Sequence, residues 1–149
     1  MIRLLENSDL KTSAQIKSVF QISYAVEAEL LKAQNFPPLQ RELESYQKSD
    51  NQFFGFFIDQ ELAGIVEVDD KNDFTHIQSL VVHPKFFRQG VGRKLVAFVF
   101  NTYDSELFTV ETGVQNLPAT ELYKKLGFHE VHQWETDHGV RKIRFERNI

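Results

Sequence analysis

Apolar and polar residues follow two different periods along this chain, and together they predict strands and helices in mixed order. Residues 2–5 are typical of a short strand. After the capping-type residues Asn7 and Ser8, mostly apolar residues recur at helical spacing and predict one face of a first helix. Its members are Ile16, Phe20, Ser23, Val26 and Leu30. Pro37-Pro38 is expected to end this helix, and a second, shorter one is indicated by Leu39, Leu43 and Tyr46.

The rest of the chain alternates short strands with two further helices. Strands are predicted at 52–58, 62–68, 75–82, 107–111, 128–135 and 140–146. One helix begins at Gly92 and its apolar face ends at Tyr103, while another spans 116–126 and stops at Gly127. The order β-α-α-β-β-β-α-β-α-β-β contains no linker, repeat or low-complexity segment. The pattern therefore predicts one mixed α/β domain over residues 1–149.

Composition and charge indicate which kinds of partner and which cellular compartment to expect. The chain has 149 residues, of which 42% are hydrophobic and 26% charged, as in an ordinary globular domain. A formal net charge of −4 gives no basic surface for nucleic acid or an anionic membrane. No basic leader precedes a long apolar stretch, and the apolar run at 95–100 is too short to cross a bilayer. We therefore expect a cytoplasmic protein without nucleic-acid or membrane partners.

The absence of cysteine removes several kinds of chemistry. It excludes disulfides, a thiolate metal site and a cysteine acyl-enzyme. The histidines at 83, 129, 132 and 138 show no metal-ligand spacing supported by acidic residues, so no metal is expected. Any acyl transfer must therefore use another nucleophile or pass directly to the acceptor.

A glycine-spaced segment after the strand at 75–82 carries the first chemical signal. Glycines let the backbone approach a ligand closely, and the free N–H groups of a helix N-terminus point at bound anions. The expected contacts are Arg88, Gln89, Gly90, Val91, Gly92 and Arg93. A Walker A loop would need Gly-Lys-Ser/Thr, and a dinucleotide fingerprint would need a third glycine where Leu95 stands. Taken by itself, the Gly-x-Gly is equally typical of a tight turn.

A second segment, from Asn116 to Phe128, gives the first one a context. Together the two resemble the signature blocks of the GNAT superfamily of N-acetyltransferases. The first is similar to the pyrophosphate loop Gln/Arg-x-x-Gly-x-Gly/Ala, and the second to Asn-x-x-Ala-x-x-Leu-Tyr-x-x-x-Gly-Phe. The predicted element order fits that fold over nearly the whole chain. One position departs, because Phe87 stands where the loop pattern begins with Gln or Arg.

The resemblance implies an α/β fold with a mixed, mostly antiparallel central sheet of about seven strands flanked by about four helices. It implies a splay between the fourth and fifth strands that admits the pantetheine arm, where Leu80, Val81 and Val82 would contact acetyl-CoA. Backbone N–H groups around Val81 and Val82 would serve as oxyanion donors. Acetyl-CoA would be the cosubstrate, and the acetyl group would pass directly to a primary amine of a small molecule or peptide. Dimers are frequent in the family, so a homodimer is one expectation.

Site residues follow from the resemblance position by position. Tyr123 would protonate the departing sulfur and contact the cofactor, although the same residue could simply pack opposite Ala119. His76 lies eleven residues before Phe87, where the family often places a glutamate base, and a plain strand-end residue is the other interpretation. Glu111 is the second candidate base, or a solvated strand end. Asn116 would contact the cofactor or cap the helix that follows it.

Two functional questions stay open in the sequence. A degenerate family member that binds acyl-CoA as a regulatory or scaffold module is the alternative to an active enzyme. The amine acceptor would be shaped by the region from Tyr24 to Tyr46 and by the hairpin around Trp134. Polyamines, aminoglycoside-like amines, amino acids and protein N-termini all remain acceptable acceptors.

Overall fold

A seven-stranded mixed sheet organises the molecule, and the computed structural model describes all of residues 1–149. The strands are β1 (Ile2–Leu5), β2 (Gln52–Ile58), β3 (Glu61–Asp69), β4 (Thr75–Val82), β5 (Leu107–Gly113), β6 (His129–Glu135) and β7 (Arg141–Asn148). The helices are α1 (Leu10–Leu31), α2 (Leu43–Gln47), α3 (Val91–Thr102) and α4 (Leu117–Lys125). The predicted element order is confirmed.

The sheet has the spatial order β1-β2-β3-β4-β5-β7-β6, and every neighbouring pair is antiparallel except β4 and β5. That parallel pair holds together only where Thr75–Ile77 lies beside Phe108–Val110. Beyond these residues the two strands separate, which confirms the expected splay. A bulge lies at the point of separation, because Ser79 faces Glu67 whereas Ile77 faces Val68, leaving Gln78 as the extra residue. A bulge bends its strand, so it steers β4 away from β5.

Helices cover both faces of the sheet. The larger apolar cluster lies under α3 and α4 and includes Val66, Leu95, Phe108 and Phe145. The second cluster lies under α1 and α2 and is built around Phe20, Tyr46 and Phe53. Burial of these side chains supplies the main favourable term for folding. No helix in the protein is both long enough and apolar enough to span a bilayer.

The buried face and the N-terminal cap of α1 differ from those predicted from the sequence. Val26 and Leu30 are 39% and 47% exposed, so they do not belong to the buried stripe. The stripe instead runs through Ser13, Ile16, Phe20 and Leu31, with the half-buried Tyr24 and Glu27 between them. The cap is Asp9, whose carboxylate accepts from the Thr12 amide at 3.0 Å, and not Asn7 or Ser8.

Asn7 has a different structural task, because its side-chain amide donates to the Tyr46 and Ser49 carbonyls. The helix ends at Leu31, before the two prolines, with Lys32 in the left-handed region.

The second predicted helix is divided into two short pieces. Pro37–Gln40 forms a 3₁₀ helix, and α2 begins only at Leu43. Between them Arg41 has an extended backbone, which directs its side chain inward to Glu67 on β3. The segment between α1 and β2 is therefore fastened to the sheet by a side chain and not by a continuous helix.

Candidate active site

The glycine loop forms a row of unused backbone donors. Gly90 has φ +76°, a conformation that favours glycine, and α3 begins immediately after it. The backbone N–H groups of residues 88–93 donate to no backbone carbonyl, and the first such bond in this region is from Lys94 to Gly90. Neither Arg88 nor Arg93 forms an ion pair with an acidic side chain. Free donors at a helix N-terminus beside two cations fit a pyrophosphate group.

A cavity of about 660 Å³ opens between the separated strands and extends beneath α1. Leu80 on β4, Glu111 on β5, Asn116 and Tyr123 all line it, so four of the sequence-predicted site residues come together. Tyr24, Glu27 and Arg41 line its other side. The splay and the first helix thus build one site from opposite faces of the sheet.

Tyr123 presents its hydroxyl to this cavity. Its ring packs edge-to-face against Phe128 and at a tilt against Phe145, with centroids 5.6 and 5.9 Å away. The hydroxyl makes no hydrogen bond within the chain, yet it is not enclosed, because only the Tyr46 hydroxyl is both fully buried and unpartnered. Burial raises the pKa of Tyr123, and the charge of Glu27 raises it further. The phenol therefore keeps its proton at neutral pH, as a donor to a leaving group must.

Asn116 uses both ends of its side chain. Its Oδ1 accepts from the Ala119 amide at 3.3 Å and so caps α4, while its Nδ2 donates to Glu27 Oε1 at 2.6 Å. Burial raises the pKa of the Glu27 carboxyl, whereas Asn116 and Lys142 lower it. The capping interpretation of Asn116 is confirmed, and its other contact is a carboxylate on α1.

The two candidate bases occupy different surroundings. His76 lies on β4 but does not line the cavity, and its Nδ1 lies 2.6 Å from Thr109 Oγ1. Burial lowers the pKa of His76, so the imidazole is neutral at neutral pH. Glu111 does line the cavity, but its carboxylate accepts from Arg144 Nη1 at 3.1 Å and lies 3.9 Å from Lys142 Nζ.

The amides of β4 differ in the direction they face. Val82 N–H donates to Ser23 Oγ on α1 at 3.3 Å, and His83 N–H donates to the Ala63 carbonyl on β3 at 2.8 Å. Because amides alternate in direction along a strand, the Val81 N–H also faces β3. The amide that faces the splay without a partner on β5 is that of Leu80, which directly precedes the Val81 and Val82 amides around which oxyanion donors are expected.

Tyr24 and Glu27 lie in the Tyr24–Tyr46 region expected to shape the acceptor site, but neither residue was assigned a role of its own from the sequence. Both continue the helical spacing of Ile16 and Phe20 toward Leu31, and this spacing was the available signal. The apolar residues Val26 and Leu30, which the same helical spacing also fits, are exposed instead. No group of three or more His, Asp or Glu side chains could hold a metal ion.

Comparison with known proteins identifies the family. Residues 21–149 match the sequence model of the acetyltransferase (GNAT) domain. UPF0157 protein YqkA of Bacillus subtilis (strain 168) is 30% identical over 141 residues, which cover 94% of this chain. They cover 41% of YqkA, so the chain spans less than half the length of that relative. Streptothricin acetyltransferase of Escherichia coli is 29% identical over 132 residues, or 85% of this chain and 76% of that enzyme.

Solved structures agree on the fold. The ribosomal-protein-S18-alanine N-acetyltransferase of Escherichia coli superimposes with a TM-score of 0.77 at 21% identity, covering 100% of this chain and 93% of that one. The PaiA N-acetyltransferase of Thermoplasma acidophilum, in complex with coenzyme A, gives 0.74 at 19% identity, covering 100% and 98%. The donor loop, the splayed strands and these matches lead to one conclusion: the chain belongs to the GNAT acetyltransferase family.

Proposed function

We propose that this chain is an acetyl-CoA-dependent N-acetyltransferase that passes an acetyl group directly to a primary amine of a small molecule or peptide. The observation that carries the proposal is the cavity in the splay. It is lined both by Tyr123, whose hydroxyl has no partner, and by the Glu27 carboxylate on α1, whose charge acts on that hydroxyl. The free amides of residues 88–93 would hold the pyrophosphate of CoA, and within that loop Gly92 lies next to Leu80, which lines the cavity. Acetyl-CoA supplies the acetyl group as an activated thioester.

The chain's own groups divide the remaining work. The loop binds and orients the cosubstrate, and the Leu80 amide would donate to the carbonyl oxygen as charge develops on it. Tyr123 would give its proton to the sulfur, so that CoA leaves as the thiol. The amine has to lose a proton to become a nucleophile, because an alkylammonium has a pKa of about 10.4. Direct transfer agrees with a chain that has no cysteine to form an acyl-enzyme.

The names of relatives suggest which amines to test. Streptothricin is the acceptor in the name of one relative, an alanine of ribosomal protein S18 in the name of one solved structure, and spermidine in the name of another. All three offer amino groups that enter as cations. An acidic net charge of −4 and acidic side chains in the cavity suit such acceptors.

The test is release of free CoA thiol from acetyl-CoA in the presence of streptothricin, spermidine or a peptide with an N-terminal alanine. Because the chain contains no cysteine, every thiol detected comes from CoA. We expect at least one amine to stimulate release, with mass spectrometry showing acetyl on its nitrogen. Tight CoA binding without acceptor-stimulated release across the panel would instead favour an acyl-CoA-binding regulatory module.

A further inference from the structure

Three carboxylates line the cavity, and two of them already have cationic partners. Glu67 accepts from Arg41 Nη1 and Nη2 at 2.8 and 3.1 Å. Glu111 lies 3.1 Å from Arg144 Nη1 and 3.9 Å from Lys142 Nζ. Their charges are therefore balanced by groups of the protein itself. Neither carboxylate carries an uncompensated charge that would favour binding a further cation.

Glu27 is the exception. It forms no ion pair, and its hydrogen bond comes from a neutral group, Asn116 Nδ2, at 2.6 Å. The carboxylate is half-buried on the cavity side of α1, between Tyr24 on its own helix and Tyr123 on α4. A partly buried carboxylate without a cation is costly, and a bound ammonium would offset that cost.

Several other charged or titratable groups face the same cavity from the elements packed around α1. They are Arg41 before α2, Glu67 on β3, Glu111 on β5, Tyr123 on α4, and His138 and Lys142 on the terminal hairpin. Lys142 lowers the pKa of Glu27, but burial outweighs it and raises that pKa overall. A carboxylate with a raised pKa is a stronger proton acceptor than an exposed one.

We propose that Glu27 binds the ammonium group of the acceptor and accepts its proton, and that acceptors of this chain are aliphatic amines that enter as cations. This inference rests on the proposed function above. It assigns to α1 a role that the sequence had given to His76 or Glu111. His76 lies outside the cavity, and Glu111 is already engaged by two cations.

The step balances in protons and bonds. The ammonium gives one proton to Glu27, and the freed lone pair forms the N–C bond as the C–S bond breaks. Tyr123 gives a proton to the sulfur and recovers one from the nitrogen. Glu27 then returns its proton to water. One turnover yields an amide, CoA thiol and one proton, with both side chains restored.

The principal test is Glu27→Gln, which keeps the side-chain length and an oxygen that can accept from Asn116. Its matched control is Glu29→Gln, the same change at an exposed position of the same helix. For the panel amine that wild type uses best, we expect Glu27→Gln to lower kcat/KM by about 100-fold or more near neutral pH. The loss should shrink at high pH, where more of the amine is already neutral. Glu29→Gln and the affinity for CoA should be unchanged.

A second arm does not depend on turnover. Isothermal titration of streptothricin, spermidine and the alanine peptide into CoA-saturated protein measures amine binding directly. We expect wild type and Glu29→Gln to bind at least one amine, and Glu27→Gln to bind it about tenfold or more weakly. Equal affinity in Glu27→Gln and wild type, or no binding by wild type, would overturn the inference. Binding without thiol release would contradict the proposed function and leave the ammonium site supported.

Asn116→Asp tests the same assignment without altering Glu27 itself. Aspartate can still cap α4, but it removes the donor to Glu27 and adds a like charge, so the pKa of Glu27 rises. The acidic limb of the kcat/KM profile should then move to higher pH by about one unit. A limb that does not move would contradict the role of Glu27, as would a full loss of rate in His76→Ala with full retention in Glu27→Gln.

Discussion

Arg41 and Glu67 form a bidentate ion pair with N–O distances of 2.8 and 3.1 Å. The pair ties the segment between α1 and α2 to β3. Glu67 is only 1% exposed, and Asn51 and Ser79 complete its hydrogen bonds at 2.9 and 3.1 Å. The guanidinium also lies over the Tyr46 ring, 4.2 Å from its centroid. Both members of this pair line the same cavity as Glu27.

The first prediction concerns that ion pair. Arg41→Ala leaves a buried carboxylate without its cation, which should lower the free energy of unfolding by about 3–5 kcal/mol. Lys48→Ala is the control, because it breaks the exposed pair with Glu44 and should cost under about 1 kcal/mol. Urea denaturation of both variants gives the comparison. Similar losses in the two would show that Glu67 does not need Arg41.

Gly90 supplies a second prediction. Gly90→Val forces a β-branched residue into a left-handed conformation at the donor loop, so it should weaken CoA binding by about tenfold or more. Gly139→Val is matched to it, since Gly139 has φ +80° in the β6–β7 turn and a side chain there would meet only open space.

Both glycine variants should lose stability by about 1–2 kcal/mol from backbone strain, which thermal denaturation would measure. Only Gly90→Val should lose CoA affinity in isothermal titration. If both variants bound CoA as wild type does, the loop would not be the pyrophosphate site.

Tyr123→Phe tests the proton donor. The ring would stay between Phe128 and Phe145, so packing should survive, while kcat falls by about 10²–10⁴-fold. The affinity for acetyl-CoA should hardly change, because the hydroxyl acts only as charge builds on the sulfur. Tyr103→Phe is the control: its hydroxyl donates to Gln52 Oε1 away from the cavity. A Tyr123→Phe enzyme with wild-type kcat, in a reaction limited by chemistry, would exclude the donor role.

Glu27 also makes a prediction about stability and pH. Its carboxyl pKa is raised above the ordinary value of 4.5, so the folded state holds its proton more tightly than the unfolded chain does. The associated stability is present below that ordinary value and is lost as pH rises through the raised pKa. Glu27→Gln should therefore have a higher Tm than wild type at neutral pH, and the difference should vanish in acid.

Glu29→Gln is again the reference for Glu27→Gln, because an exposed carboxyl on the same helix should show no such pH-dependent gain in Tm. Differential scanning calorimetry from acid to neutral pH would make the comparison. A Tm difference that grows toward acid pH would mean that burial is not the dominant effect on Glu27.

Much of the fold could be predicted because its signals are local. The strands β1, β2 and β4 have the bounds that alternation and turn residues indicate, and Gly127 stops α4 with φ +91°. The same holds for the donor loop and Tyr123, whose motifs are contiguous in sequence. Local patterns of this kind depend only on residues within one or two turns of each other.

The acceptor side could not be predicted, since its residues meet only in the folded chain. Arg41 and Glu67 are 26 positions apart and Asn116 and Glu27 are 89 apart, so no spacing reveals either contact. Periodicity also treats a carboxylate as a surface residue and an apolar side chain as core. On α1 that rule fails, because Glu27 faces a cavity while Val26 and Leu30 face solvent.

The three-residue contact between β4 and β5 has a mechanical consequence. It joins two arcs of sheet, β1–β4 and β5–β7, that are otherwise independent in their ladders. Glu27 belongs to the segment packed on the first arc, whereas Tyr123 and Asn116 belong to the second. Thr75–Ile77 and Phe108–Val110 therefore form the only strand pairing between the two arcs, and this pairing is a natural hinge. A rotation about this contact would change the separation of Glu27 and Tyr123 without breaking any other strand ladder.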